Sequence, residues 1–163
     1  MKKFKPSKKF MKLAIDEAKK AIEGGNYAIG AVVVKEGKVI GKGAQSSHSN
    51  NDASAHAEIV AMRQASKKLG TMYLTDCVLY TTNEPCCMCA GMAIWGRVEC
   101  IVYGASIKDM LKYWKEIGNE QKLMPCKKII KGYGAAIEIV PNFMRKECII
   151  LFNLNSKINK SLK

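Results

Sequence analysis

Arginine and histidine are scarce in this chain, and a long apolar run is missing altogether. Only three of its 27 basic residues are arginine: Arg63, Arg97 and Arg145. Surfaces dedicated to phosphate tend to use the forked guanidinium, so the net charge of +13 is weak evidence for a nucleic-acid partner. Its placement weakens it further. Residues 13–120 hold equal numbers of acidic and basic side chains, and the excess sits at the two ends. Such ends could grip a polyanion such as tRNA, or they could be solvated tails of a lysine-rich composition; the shortage of arginine favours the second. With only His48 and His56, no histidine cluster competes for a metal. No apolar stretch approaches the roughly 20 residues that span a bilayer. The basic start, MKKFKPSKKF, lacks the apolar run and small-residue cleavage site of a signal peptide. No membrane association and a cytoplasmic location are therefore expected. No repeat, long linker or low-complexity tract appears, and 163 residues fit one domain, with 155–163 read as a basic tail.

Cysteine, by contrast, is plentiful. Seven are present, an odd number, with three crowded into Cys86, Cys87 and Cys89. That is a poor disulfide framework; in a reducing compartment such a cluster more often binds metal or does chemistry.

Helix-like and strand-like patterns alternate along the chain. Ser7 can cap a first helix with apolar positions Phe10, Leu13, Ala14, Ala18, Ala21 and Ile22, stopped at Gly24-Gly25. Ala31–Val34 and Val39–Ile40 read as a hairpin about Glu36-Gly37, and Gly41–Ser54 as a polar loop. A second helix is expected from about Ala55 to Leu69, a strand at Cys77–Thr81, and a helix at Cys86–Trp95 with Pro85 in its first turn. A strand at Cys100–Tyr103, a helix at Ile107–Ile117, a strand at Ile137–Val140 and a closing helix at Arg145–Leu154 follow. The alternation implies an α/β sandwich with a mostly parallel sheet covered on both faces and opened by an antiparallel hairpin.

The chemistry concentrates in two helix starts. Cys86 and Cys89 are three apart, so their sulfurs share one face and can bite a single ion. His56 would complete a Cys₂His set that suits zinc. Three protein ligands leave the fourth tetrahedral position to solvent, as a catalytic site requires, and helix N-termini favour thiolate. Glu58 stands two residues beyond His56, close enough to reach the metal's water. Zinc brings that water's pKa to about 7, and Glu58 would take its proton. Taken singly, Cys-x-x-Cys is often a structural half-site or redox pair. A closed structural site would need a fourth ligand from Cys77, Cys100, Cys126 or Cys148.

In this order the motifs resemble the H-x-E…P-C-x-x-C signature of the cytidine-deaminase-like superfamily. Residues 30–34 (GAVVV), 51–59 (NDASAHAEI) and 79–91 (LYTTNEPCCMCAG) carry the likeness, which runs from the first helix to about Leu154. They are most similar to the branch of guanine, cytosine and tRNA adenosine deaminases. The resemblance implies a three-layer α-β-α sandwich around a five-stranded mixed sheet, one zinc per chain, and a homodimer whose interface lies beside the pocket.

It also suggests substrate contacts: Gln45, Ala57, Trp95 and Asp109. Relatives commonly carry a base-binding Asn where this chain has Gln45, and one extra methylene moves that amide by more than ~1 Å. Relatives also tend to carry Pro before the first strand, where Ala28-Ile29-Gly30 stands here. Trp95 could pack on a purine face or be a core tryptophan at a helix end. Asp109 could accept from a guanine N–H or cap a helix. The leading expectation is a zinc-dependent deaminase of a small purine base or nucleoside, guanine-like. A tRNA-specific adenosine deaminase and an inactive zinc-stabilised partner subunit are the alternatives.

Overall fold

The computed structural model describes residues 4–155. The element order is α1 (Lys8–Glu23), β1 (Gly30–Lys35), β2 (Lys38–Ala44), α2 (Ser47–Asn50), α3 (Ala57–Leu69), β3 (Cys77–Asn83), α4 (Cys87–Trp95), β4 (Cys100–Ala105), α5 (Ile107–Glu116), α6 (Cys126–Gly132), β5 (Glu138–Val140) and α7 (Arg145–Ile150). A 3₁₀ turn, Leu151–Asn155, ends the described chain. The strands form one sheet in the order β2-β1-β3-β4-β5.

Strand period divides the core into two layers. Ala31, Val33, Leu79, Ile101 and Tyr103 face α3, α4 and α6, while Val32, Val34, Val78, Tyr80 and Val102 face α1, α5 and α7. Because β1, β3 and β4 are covered on both faces, they read in sequence as continuous apolar runs rather than alternating ones. The result is the expected α-β-α sandwich. No helix among the described residues is long and apolar enough to cross a membrane.

Several expectations need correction. The sheet is not mostly parallel: β1 pairs antiparallel with both β2 and β3, and only β3–β4 and β4–β5 are parallel. The hairpin does turn at Glu36 and Gly37, both at positive φ of 49° and 72°, the backbone twist a two-residue turn needs. But β2 runs on to Ala44, into what the sequence suggests is loop. Its glycines are the reason: a Cβ on Gly41 or Gly43 would collide with the backbone of α3 at Ala61 and Ala57. Glycine ordinarily weakens a strand; here it lets α3 lie directly on the sheet. Ser7 occupies the α1 cap position without a side-chain capping bond, and its N–H donates to the Tyr80 hydroxyl at 3.1 Å. The closing helix ends at Ile150 and tightens into the 3₁₀ turn. Asn155, expected in the tail, is buried, and its Oδ1 accepts from the Ala28 N–H at 2.8 Å. The remainder of that tail, 156–163, lies outside the described residues, as do residues 1–3.

Candidate metal centre and cavity

His56 and Cys86 hold equivalent places in the fold. Each is the extended residue immediately before a helix, His56 before α3 and Cys86 before α4, and neither side chain caps its helix. Both therefore project from helix starts toward a common point. Cys89, one turn into α4, is fully buried and faces the same point. The two sulfurs lie 3.6 Å apart, and each lies 3.6 Å from His56 Nδ1. A tetrahedral zinc with sulfur at about 2.3 Å and nitrogen at about 2.05 Å would separate its ligands by about 3.8 Å (S–S) and about 3.6 Å (S–N). The triangle in the structure fits that ion. The four other buried thiols, Cys77, Cys100, Cys126 and Cys148, do not join it, and exposed Cys87 stays outside. Among the described residues the group is thus three-membered and open rather than a closed structural site.

The protonation pattern of the three side chains suits metal uptake. Cys86 is held down to about 4, chiefly by the hydrogen bond it shares with Cys89 and then by His56. Cys89 is pushed well up by that same bond and by burial. His56 is raised, first by its hydrogen bond to Cys86. One thiolate is therefore already present, and a cation would displace the remaining protons.

Glu58, in the first turn of α3, is 3% exposed. Burial raises its carboxyl above the ordinary carboxylate range. It lines the same cavity as His56 and Cys86, a space of about 620 Å³, within the size range of small-molecule pockets. Tyr27, Gln45, His48, Asn83, Met110, Trp114 and Leu123 are among its other lining residues.

The four candidate substrate contacts fare differently. Gln45 does line the cavity, but both ends of its amide are engaged: Oε1 accepts from the Ala57 N–H at 3.3 Å and Nε2 donates to Ser47 Oγ at 3.0 Å. Ala57 is fully buried and gives only that backbone N–H. Trp95 is not at the cavity. It ends α4, roughly 12 Å from the helix start at 1.5 Å per residue, and is 70% exposed. Asp109 is not there either. Its carboxylate closes a capping box on Ser106 and pairs with the Arg145 guanidinium, so it is the helix cap of the two readings offered above.

Asn83 and Glu84 stand inside the cysteine motif with no role of their own assigned from the sequence. Met110 and Trp114 are one turn apart on α5, a spacing that could have marked a shared face. Glu84 is buried, and its two oxygens accept from the Ile107 and Cys126 N–H groups at 2.9 Å each. It thereby ties the starts of α5 and α6 to the strand that leads into Cys86.

Comparison with known proteins accords with this geometry. A family model described as MafB19-like deaminase matches residues 6–146. The chain is 39% identical over 142 residues to a tRNA-specific adenosine deaminase of Buchnera aphidicola subsp. Schizaphis graminum, covering 85% of this chain and 93% of that one. It is 42% identical over 101 residues to a guanine deaminase of Bacillus subtilis, covering 61% of this chain and 65% of the relative. A tRNA-specific adenosine deaminase of Aquifex aeolicus is likewise matched over only 64% of its length. A solved structure from work on A-to-I editing by tRNA:A34 deaminases superposes with TM-score 0.75 at 30% identity, covering 89% of this chain and 99% of that one.

Proposed function

We propose, for a chain that belongs to the MafB19-like deaminase family, that it hydrolyses the exocyclic amine of a purine base, guanine foremost, at a zinc site of His56, Cys86 and Cys89. The observation that carries this is the open three-ligand triangle with Glu58 buried in the same cavity. Zinc bound there would supply Lewis acidity that makes a solvent molecule nucleophilic at neutral pH. The chain supplies the rest. Glu58, its carboxyl raised by burial, takes the proton of the attacking water and delivers it to the ring nitrogen beside the attacked carbon. It then assists the amine's departure, so that guanine and water give xanthine and ammonia. Trp114 offers an aromatic wall for the base.

A second reading, adenosine deamination in tRNA, draws on the Buchnera relative and on exposed Lys127, Lys128 and Lys131, which follow the cavity residue Leu123. Salt separates the two: contacts to RNA phosphates weaken steeply as salt rises, whereas turnover of a neutral base barely responds. An inactive partner subunit would have no use for a buried carboxyl at position 58. We further read the protein as a cytoplasmic homodimer. Met72, Tyr73 and Trp95 form an exposed apolar group that a second copy would cover; light scattering at the monomer mass overturns this.

The test is ammonia release from guanine, guanosine, cytosine, adenine and a tRNA substrate. Guanine should give the highest kcat/KM. Release from tRNA alone would replace the first reading with the second.

A further inference from the structure

Of the side-chain amides that line the cavity, Gln45 and Asn83 are buried, and they are not in the same state. Gln45 is satisfied within the protein, its oxygen on the Ala57 N–H and its nitrogen on Ser47. Asn83, the last residue of β3, is only 3% exposed, and its Oδ1 is buried without a hydrogen-bond partner. A buried orphan acceptor costs about 1–3 kcal/mol, so such groups in a native fold call for an explanation. The amide is not free to turn over and remove the cost. Its Nδ2 donates to Met110 Sδ at 2.9 Å. A thioether can accept but cannot donate, so the flipped amide would face two acceptors together. The oxygen is therefore fixed where it is, on a buried residue that lines the same cavity as Glu58.

Position limits what the oxygen can meet. Asn83 is three residues before Cys86, at most about 11 Å along an extended chain, which sets it toward the metal end of the cavity. A base held for attack presents there the reacting carbon and the ring positions beside it. In adenosine those ring nitrogens are acceptors, and the sole donor is the amine that leaves. Guanine differs: of the two ring nitrogens that flank its amine-bearing carbon, one carries a proton. Resting on the purine reading above, we infer that Asn83 is the specificity residue, its Oδ1 accepting the ring N–H next to the reacting carbon of a guanine-type base. Gln45 cannot fill this role while Ala57 occupies its oxygen.

The test compares Asn83→Leu, which keeps the side chain's shape and removes the acceptor, with the unaltered protein. Two quantities are measured on each zinc-loaded protein: kcat/KM for guanine and the inhibition constant of 2-aminopurine, which carries the amine but lacks that ring N–H. The substitution should lower kcat/KM for guanine about 10- to 100-fold, chiefly through KM, because a polar contact made in the ground state is lost. The affinity for 2-aminopurine should change by less than about threefold, because no bond to it is removed. Equal losses for both ligands mean that the substitution merely damages the pocket, and guanine turnover within about threefold of wild type means that the acceptor is unused; either overturns the assignment. If the unaltered protein itself releases no ammonia from guanine, the purine reading falls and takes this assignment with it. If the unaltered protein works and only the Asn83→Leu comparison fails, the purine reading stands alone.

Discussion

The cavity has two unlike walls. One is built from the starts of α3 and α4, where His56, Glu58 and Cys86 line the cavity and Cys89 lies buried behind them. Glycines in β2 let α3 lie against the sheet backbone, and Cys89, Ala90 and Ala93 bury α4 in the same layer. The other wall is the α5–α6 segment, with Met110, Trp114, Gln121 and Leu123. Gln121 is exposed and Trp114 half-buried, and the segment is tied to the first wall through the Glu84 carboxylate. Reaction chemistry tolerates little misplacement, and it sits on the wall with the densest backing. On the proposed reading, choice of substrate is shared between the looser wall and Asn83 at the end of β3.

Substitutions in the first wall should therefore abolish turnover, and those in the second should shift KM or stability. His56→Ala should have the largest effect: metal content falls below one zinc per chain and ammonia release drops to background, as elemental analysis and a steady-state assay would record. Glu58→Ala should keep its zinc yet lose about 10²- to 10⁴-fold in kcat. Glu84→Gln bears on the link between the walls. Gln has one acceptor for two buried N–H donors, so the change should cost about 2–3 kcal/mol and lower Tm by roughly 5–10 °C, with zinc retained; an unchanged Tm would mean that the walls are not joined there. Trp114→Ala should raise KM for guanine about tenfold with kcat little altered. The smallest effect belongs to Arg145→Ala. Its pair with Asp109 is exposed and away from the cavity, so kcat/KM should stay within about twofold of wild type.

The same contrast explains what could be read from the sequence. His56, Glu58, Cys86 and Cys89 were legible because short spacings at helix starts fix which side chains share a face, whatever the remainder of the chain does. The buried strands were legible as apolar runs. Trp95, a contact that the resemblance suggests, ends α4 about 12 Å from the helix start and is 70% exposed. Asp109 is open to two readings in sequence; the local Ser106-Asp109 spacing marks the cap, while its second partner, Arg145, is 36 residues away and no local pattern announces that pair. Helix α6 is only seven residues long and starts on the Glu84 oxygen rather than on a capping side chain, so propensity leaves no mark of it. Asn83 stood inside a motif read for its cysteines. A polar residue closing a fully buried strand was its signal.

Zinc content and guanine turnover, determined together on the wild-type protein and on Glu58→Ala, bear most directly on the whole. One metal in each, with ammonia released by the first and not by the second, is the expected result. A wild-type protein that deaminates guanine without zinc, or a Glu58→Ala protein that matches it, contradicts the assignment of metal and proton carrier alike.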